Sequence, residues 1–195
     1  MSLDLNVYVE KIDDQIIPLW MKEMNQFDME CEIHPDFSFN DHSGFLPFKV
    51  KLNSPYNSEL KGQEMISGFE FYKETFSFEK ELEQVQPKRT IIQSVFQRNI
   101  KKVNLVNPEI DSRLSKCNWI MIFNWGSNNS LELRMLSLSS AIITKLSDGV
   151  CCYPADDIWY DNKTIIENAF KEALEYEKSL RSSEWKVHKF NGWNE

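Results

Sequence analysis

The chain has 195 residues, of which 42% are hydrophobic, 13% aromatic and 27% charged, enough to bury one core as a single domain spanning 1–195. Its formal net charge of −8 arises entirely between Met1 and Gly44, where ten carboxylates face only Lys11 and Lys22; the remainder balances. A one-sided field of this kind repels nucleic acid and anionic lipid and favours a basic protein surface.

Leu5, Val7 and Val9 alternate with polar neighbours and predict a strand. Asp13 or Asp14 then caps a helix in which Ile16, Ile17, Trp20, Met21, Met24 and Phe27 recur at three- and four-residue steps, with Pro18 tolerated near its first turn. Met29, Cys31 and Ile33 alternate against Glu30, Glu32 and His34, a half-exposed strand with an acidic outer row. GFLPFKVKLN and MISGFEFYKETF predict two further strands, the first an edge strand because of Pro47, the second bulged at Gly68.

Residues 78–115 are ambiguous between helix and strand. Pro87 can open a helix burying Ile91, Ile92, Val95, Phe96, Ile100 and Val103, the reading preferred here. Lys88, Arg89, Arg98, Lys101, Lys102, Arg113 and Lys116 make this segment basic, and pairing with the chain's own acids is expected in preference to nucleic-acid binding.

From Lys116 to Trp125 the chain is nearly all apolar, as a strand covered on both faces would be. Asn129 and Glu132 resemble a capping box, and Met135, Leu138, Ile142 and Leu146 trace a helix ended by Asp148 and a left-handed Gly149. VCCYP resumes as a strand, ADDIWYDN reads as a polar-aromatic loop, and a helix from Thr164 buries Ile165, Ile166, Ala169, Phe170, Ala173, Leu174 and Leu180. The aromatic tail EWKVHKFNGWNE is expected to dock back onto the body. Two strand-helix-strand units with strands between them predict an α+β domain: a mixed or antiparallel sheet carrying helices, with a ferredoxin-like core plus insertions as the leading topology. The sheet-containing core is placed at 1–160, the C-terminal helix and tail at 161–195.

Most reaction classes lack their residues. There are three histidines, no nucleophile-elbow serine, and neither a GxGxxG nor a Walker pattern, so no cofactor is expected. Cys31, Cys117, Cys151 and Cys152 form no CxxC pair and read as buried thiols. The acidic start lacks the basic and apolar regions of a signal peptide, and the longest apolar runs are too short to span a bilayer, which predicts a cytoplasmic protein that engages no membrane. HPDFSFNDH could hold a divalent ion through His34, Asp36 and His42 and activate its water, although it matches no zinc spacing and equally suits a polar turn. Asp156 and Asp157 beside Trp159 and Tyr160 suggest either an acid-base pair near stacking aromatics or a helix-leading loop.

The passage LSLSSAIITKLSDGVCCYPADDIWYD, in which a helix ends in Asp148-Gly149 and leads through a strand to an acidic-aromatic loop, resembles small cytoplasmic bacterial toxin-immunity proteins, with GFLPFKVKL and ISGFEFY as a further echo. That resemblance implies a non-enzymatic module neutralising a basic protein partner such as a secreted toxin. It carries over no site residues. The residues themselves suggest contacts through Asp36 and Asp41 or Asp156 and Asp157, with Trp159 and Tyr160 as the apolar anchor. The alternatives are a metal-dependent hydrolase using His34, Asp36 and His42, and a structural subunit that buries surplus aromatics in a homodimer.

Overall fold

Alternation of apolar and polar residues in the strand segments builds one eight-stranded sheet, seen in a computed structural model that describes residues 3–85 and 104–193. The strands are β1 (Leu3–Val9), β2 (Met29–Ile33), β3 (Gly44–Leu52), β4 (Met65–Thr75), β5 (Trp119–Trp125), β6 (Val150–Tyr153), β7 (Ile158–Trp159) and β8 (His188–Lys189). Their order is β2-β3-β4-β5-β1-β6-β7, every neighbour antiparallel, and β8 adds to the start of β4. Among the described residues the helices are α1 (Ile17–Met24), α2 (Phe78–Val85), α3 (Pro108–Leu114), α4 (Glu132–Leu146) and α5 (Ile165–Ser179).

Setting aside the β3–β4 hairpin leaves β2-β5-β1-β6, with α1 joining β1 to β2 and α4 joining β5 to β6 around β1. That is the expected ferredoxin-like α+β core, widened by one hairpin. The hairpin also corrects two local readings. β3 is flanked on both sides, and the edge strand is β2. Pro47 is tolerated inside because it lies just past the end of β2, where its carbonyl accepts from His34 and no donor is needed. Gly68 makes no bulge: the β3–β4 register runs unbroken from Gly44↔Phe71 to Val50↔Met65, and a Cβ at Gly68 would strike the Leu46 carbonyl.

One sheet face carries the core. Leu5, Val7 and Val9 of β1, Leu46, Phe48 and Val50 of β3, Phe69 and Phe71 of β4, and Met121 and Phe123 of β5 are all buried there. They meet Trp20 and Met24 of α1 and Met135, Leu138 and Ile142 of α4. Helix α4 packs against β1, β4, β5 and β6, with α1 and α5 beside it. It is therefore buried nearly all round, and the small Ser137, Ser139, Ser140 and Thr144 let its neighbours approach. Ser140 and Thr144 return their hydroxyls to carbonyls of the same helix.

Helix α4 ends differently from expectation. Asp148, not Gly149, adopts the left-handed conformation (φ 50°). Gly149 is needed for close approach, since a Cβ there would lie 2.7 Å from the Tyr8 carbonyl oxygen of β1. At the other end Glu132 forms no capping box with Asn129; its carboxylate accepts from Gly126 (2.6 Å) and Asn128 (3.1 Å) and folds the β5–α4 loop back on the helix. The loop expected at ADDIWYDN includes the short β7. The helix expected to open at Pro87 and bury Ile91 to Val103 lies outside the described residues. Of the basic residues in and around it, Arg113 donates to the Gly149 carbonyl (2.6 Å) and lies 3.5 Å from Asp148.

The free edge of β2 is blunted locally. The Asn25 amide accepts from the Cys31 N–H (2.7 Å) and donates to the Cys31 carbonyl (3.2 Å), standing in for a neighbouring strand. The C-terminal tail docks as expected. Ser130 and Lys186 exchange hydrogen bonds, β8 pairs with Met65 and Ile66, and Phe190 and Trp193 reach across to Lys49 and His34.

The four cysteines are buried and unpaired. Burial pushes the thiols up from 9.0, to about 12 for Cys31 and Cys152 and about 11 for Cys117, and raises Cys151 as well. At a pH of about 8, an aromatic disulfide reagent should therefore leave the native protein unlabelled over minutes and react with four thiols after unfolding in urea. Rapid native labelling of any one would contradict this packing.

Candidate functional site

The acidic first quarter divides into three groups. Glu30 and Glu32 on β2 face lysines across the strand pair: Glu32 lies 2.6 Å from Lys49 and Glu30 lies 3.1 Å from Lys51. Asp4 sits within β1, while Glu23 and Asp28 lie at or near the end of α1, toward the start of β2. Glu10, Asp13, Asp14, Asp36 and Asp41 follow the ends of β1 and β2. These strands run parallel across the sheet, so the loops leaving them emerge at the same end. The expected single patch is therefore reduced to a rim of five carboxylates at one end of the sheet, because the other acids lie on β1, on β2, in α1 or in the turn before β2, which place them elsewhere.

Two features hold this rim in shape. Phe39 donates its N–H to Asp14 Oδ1 (2.8 Å), tying the loop after β2 to the turn after β1. Asp13 in turn caps that turn, accepting from Gln15 (2.9 Å). Beneath them Phe37 and Phe39 are buried, their ring centroids 4.9 Å apart. Trp20 lies 6.0 Å from Phe37, 5.8 Å from Phe39 and 5.6 Å from Phe48, so the loop is anchored in the main core. Lys73 of β4 donates to Asn40 (2.9 Å) and fastens the loop from a third side. Asp36 and Asp41 are exposed on either side of the two buried phenylalanines. Among the described residues, no ion pair reaches Asp13, Asp36 or Asp41.

His34, Asp36 and His42 do not assemble into a metal centre. His34 Nδ1 accepts from the Asp36 N–H (3.2 Å), and its ring meets Trp193. The His42 ring packs against Phe37 and Phe71, with Nε2 3.2 Å from the Gly44 carbonyl. Among the described residues no group of three or more His, Cys, Asp or Glu side chains is placed to hold a metal ion.

Asp156 and Asp157 lie at the other end of the sheet, since β6 runs opposite to β1 and β2. Both are exposed, and Asp157 (φ 52°) accepts from Trp159 Nε1 at 2.8 Å. Trp159 and Tyr160 do not form a joint anchor: Tyr160, just past the end of β7 and bonded through its N–H to the Cys151 carbonyl, continues the strand's alternation and faces the opposite way. Trp159 stacks on Tyr8 at 6.0 Å, on the sheet face away from α4. Tyr160 turns toward α4 and α5, beside Ser137, Ile165 and Ala169. Burial pushes its hydroxyl up to about 12.

Two arrangements escaped sequence reading. The Arg134–Glu177 pair is buried inside the helical layer; the only trace was an arginine interrupting the apolar helix spacing between Leu131 and Leu138. A cleft of about 260 Å³ opens where β5 and β8 both leave β4 at Gly68. Gly68 read as a bulge in the sequence, which gave no sign of the cleft beside it. Among the described residues no helix is long and apolar enough to cross a membrane.

Compared with protein-family models, with curated proteins and with solved structures, the chain matches none.

Proposed function

We propose that this protein is a non-enzymatic binding module whose acidic rim holds a basic protein partner, in the manner of an immunity protein against a secreted bacterial toxin. The observation that carries this reading is the hydrogen bond from Phe39 to Asp14, which sets the loop bearing Asp36 and Asp41 beside Asp13 and Asp14. A loop pinned by two buried phenylalanines loses little freedom on binding, so its carboxylates are preorganised for a charged partner. Like charges held together steer a basic surface toward them and hasten encounter.

The basic product of a neighbouring reading frame, co-expressed with this chain, is the natural candidate. It should co-purify at about 0.05 M salt and separate at about 0.5 M, where screening shortens to a few ångströms. Asp36→Lys combined with Asp41→Lys should slow association at least about tenfold at low salt, with an unchanged unfolding midpoint. A salt-insensitive complex, or one untouched by the double reversal, would remove the rim from the interface.

A further inference from the structure

The geometry points to a second site, at the break in β4, built to take the amino-terminal residue of a peptide. It is independent of the acidic rim and lies toward the opposite end of β4.

In the β3–β4 register, Met65, Ser67 and Phe69 lie opposite the core residues Val50, Phe48 and Leu46 of β3, Phe71 lies opposite Gly44, and Pro47 lies opposite Gly68. The peptide groups of Glu64, Ile66, Gly68 and Glu70 point to the other side of β4. Three of these four are paired there: the Glu64 carbonyl accepts from Phe190, the Ile66 carbonyl accepts from the Asn129 amide (2.9 Å), and Glu70 pairs with Asn124 of β5. At Gly68 both neighbours turn away. β5 leaves after Trp125 because the Gly126 N–H goes to Glu132, and the tail leaves before His188 because Lys186 is tied to Ser130. The ladder therefore skips one rung at a buried glycine, where an N–H and a carbonyl face the cleft.

A second, independent feature lies in the same wall. Ser67 is 2% exposed, lines the cleft, and has no hydrogen-bond partner for Oγ among the described residues. A buried hydroxyl of this kind requires a partner. The remaining polar lining selects the ligand's charge. Glu132 and Glu70 contribute carboxylates, His188 an imidazole, and no lysine or arginine is among the described lining residues. Each Glu132 oxygen already accepts one backbone N–H and retains a lone pair for a further donor. Phe45, 50% exposed, stands at the mouth.

A free amino end meets all of these demands. Its ammonium brings three donors to the carboxylates and Ser67 Oγ, its first peptide group supplies the acceptor and donor opposite Gly68, and its side chain lies against Phe45. A cleft of about 260 Å³ accommodates one or two residues.

The test is titration of the full ¹⁵N-labelled chain with alanyl-alanine amide, followed by amide shifts. Saturable movement of the Gly68 and Gly126 signals is expected, with binding at least about tenfold weaker for the N-acetylated dipeptide amide, which lacks the charge. Glu70→Gln should weaken the free dipeptide severalfold without moving the unfolding midpoint. The proposal is overturned if no saturable shift occurs, if the acetylated probe binds equally well, or if methylammonium alone binds as tightly as the dipeptide.

Discussion

Arg134→Met should cost about 3–5 kcal/mol of folding stability, because it strands a buried carboxylate. Arg134 and Glu177 are 2% and 1% exposed, and they meet through two parallel bonds of 2.7 Å, Nε to Oε1 and Nη2 to Oε2. The third guanidinium nitrogen donates to the Phe27 carbonyl at 2.8 Å, and the group lies 5.4 Å from the Phe170 ring centre. One side chain thus joins α4 to α5 and to the turn that follows α1. Removing it leaves Glu177 charged without a partner and the Phe27 carbonyl without its donor. Glu177→Gln retains the shape and still strands the cation, so it should cost somewhat less, about 2–4 kcal/mol.

The double replacement Arg134→Met with Glu177→Leu removes both charges and their desolvation together. It should recover most of the loss, leaving a deficit of about 1–2 kcal/mol for the Phe27 carbonyl. Urea unfolding of the wild type, the single variants Arg134→Met and Glu177→Leu, and the double variant closes the cycle. Single-variant losses below about 1 kcal/mol, or strict additivity, would mean that the pair is not the pin described here.

The Arg134–Glu177 pair also marks where sequence reading stops. Strands β1 and β2 were legible because each buries one face, and period-two alternation records that directly. Helix α4 was legible from its stripe, but the stripe understates its burial: Ser137, Ser139, Ser140 and Thr144 are as inaccessible as the leucines. Small polar residues leave no hydrophobic signature, whether they bond back to their own helix, as Ser140 and Thr144 do, or reach a neighbour, as Ser139 reaches Met24. Pro47 and Gly68 were misread for a related reason. A proline or glycine states what its own backbone tolerates, whereas an edge or a bulge is defined by the neighbouring strand. Arg134 and Glu177 lie 43 residues apart, and nothing local to either predicts the meeting.

At the candidate site the same division holds. Asp36 and Asp41 were legible as charge, and the strands on either side placed them in a loop. That Asp13 and Asp14 join them depends on a hydrogen bond between residues 25 apart, and so was not. The opposed directions of Trp159 and Tyr160 were readable in principle once Ile158–Trp159 is recognised as a strand. The reading of ADDIWYDN as a loop concealed it.

Phe39→Ala should separate the scaffold of the rim from its charge. Phe39 is fully buried, touching Trp20, Phe37 and Phe71. Its truncation should cost about 3–5 kcal/mol, the transfer loss plus the cavity left behind. For a chain of this length that lowers the melting temperature by roughly 6–20 °C. Because Phe39 carries both a ring anchor and the N–H bonded to Asp14, the loss should concentrate in the loop. Amide exchange across residues 34–43 should accelerate well beyond the global change, while β1 and β5 follow global stability. Asp36→Asn with Asp41→Asn should show the opposite pattern. Stability should stay within about 0.5 kcal/mol, since both carboxylates are exposed and make no ion pair among the described residues. If the rim is a preorganised binding surface, both variants weaken a basic partner, Phe39→Ala by loosening the carboxylates and the aspartate pair by deleting them. If Phe39→Ala leaves both loop exchange and partner affinity unchanged, the buried phenylalanines are core filling alone, and the rim is not preorganised by them.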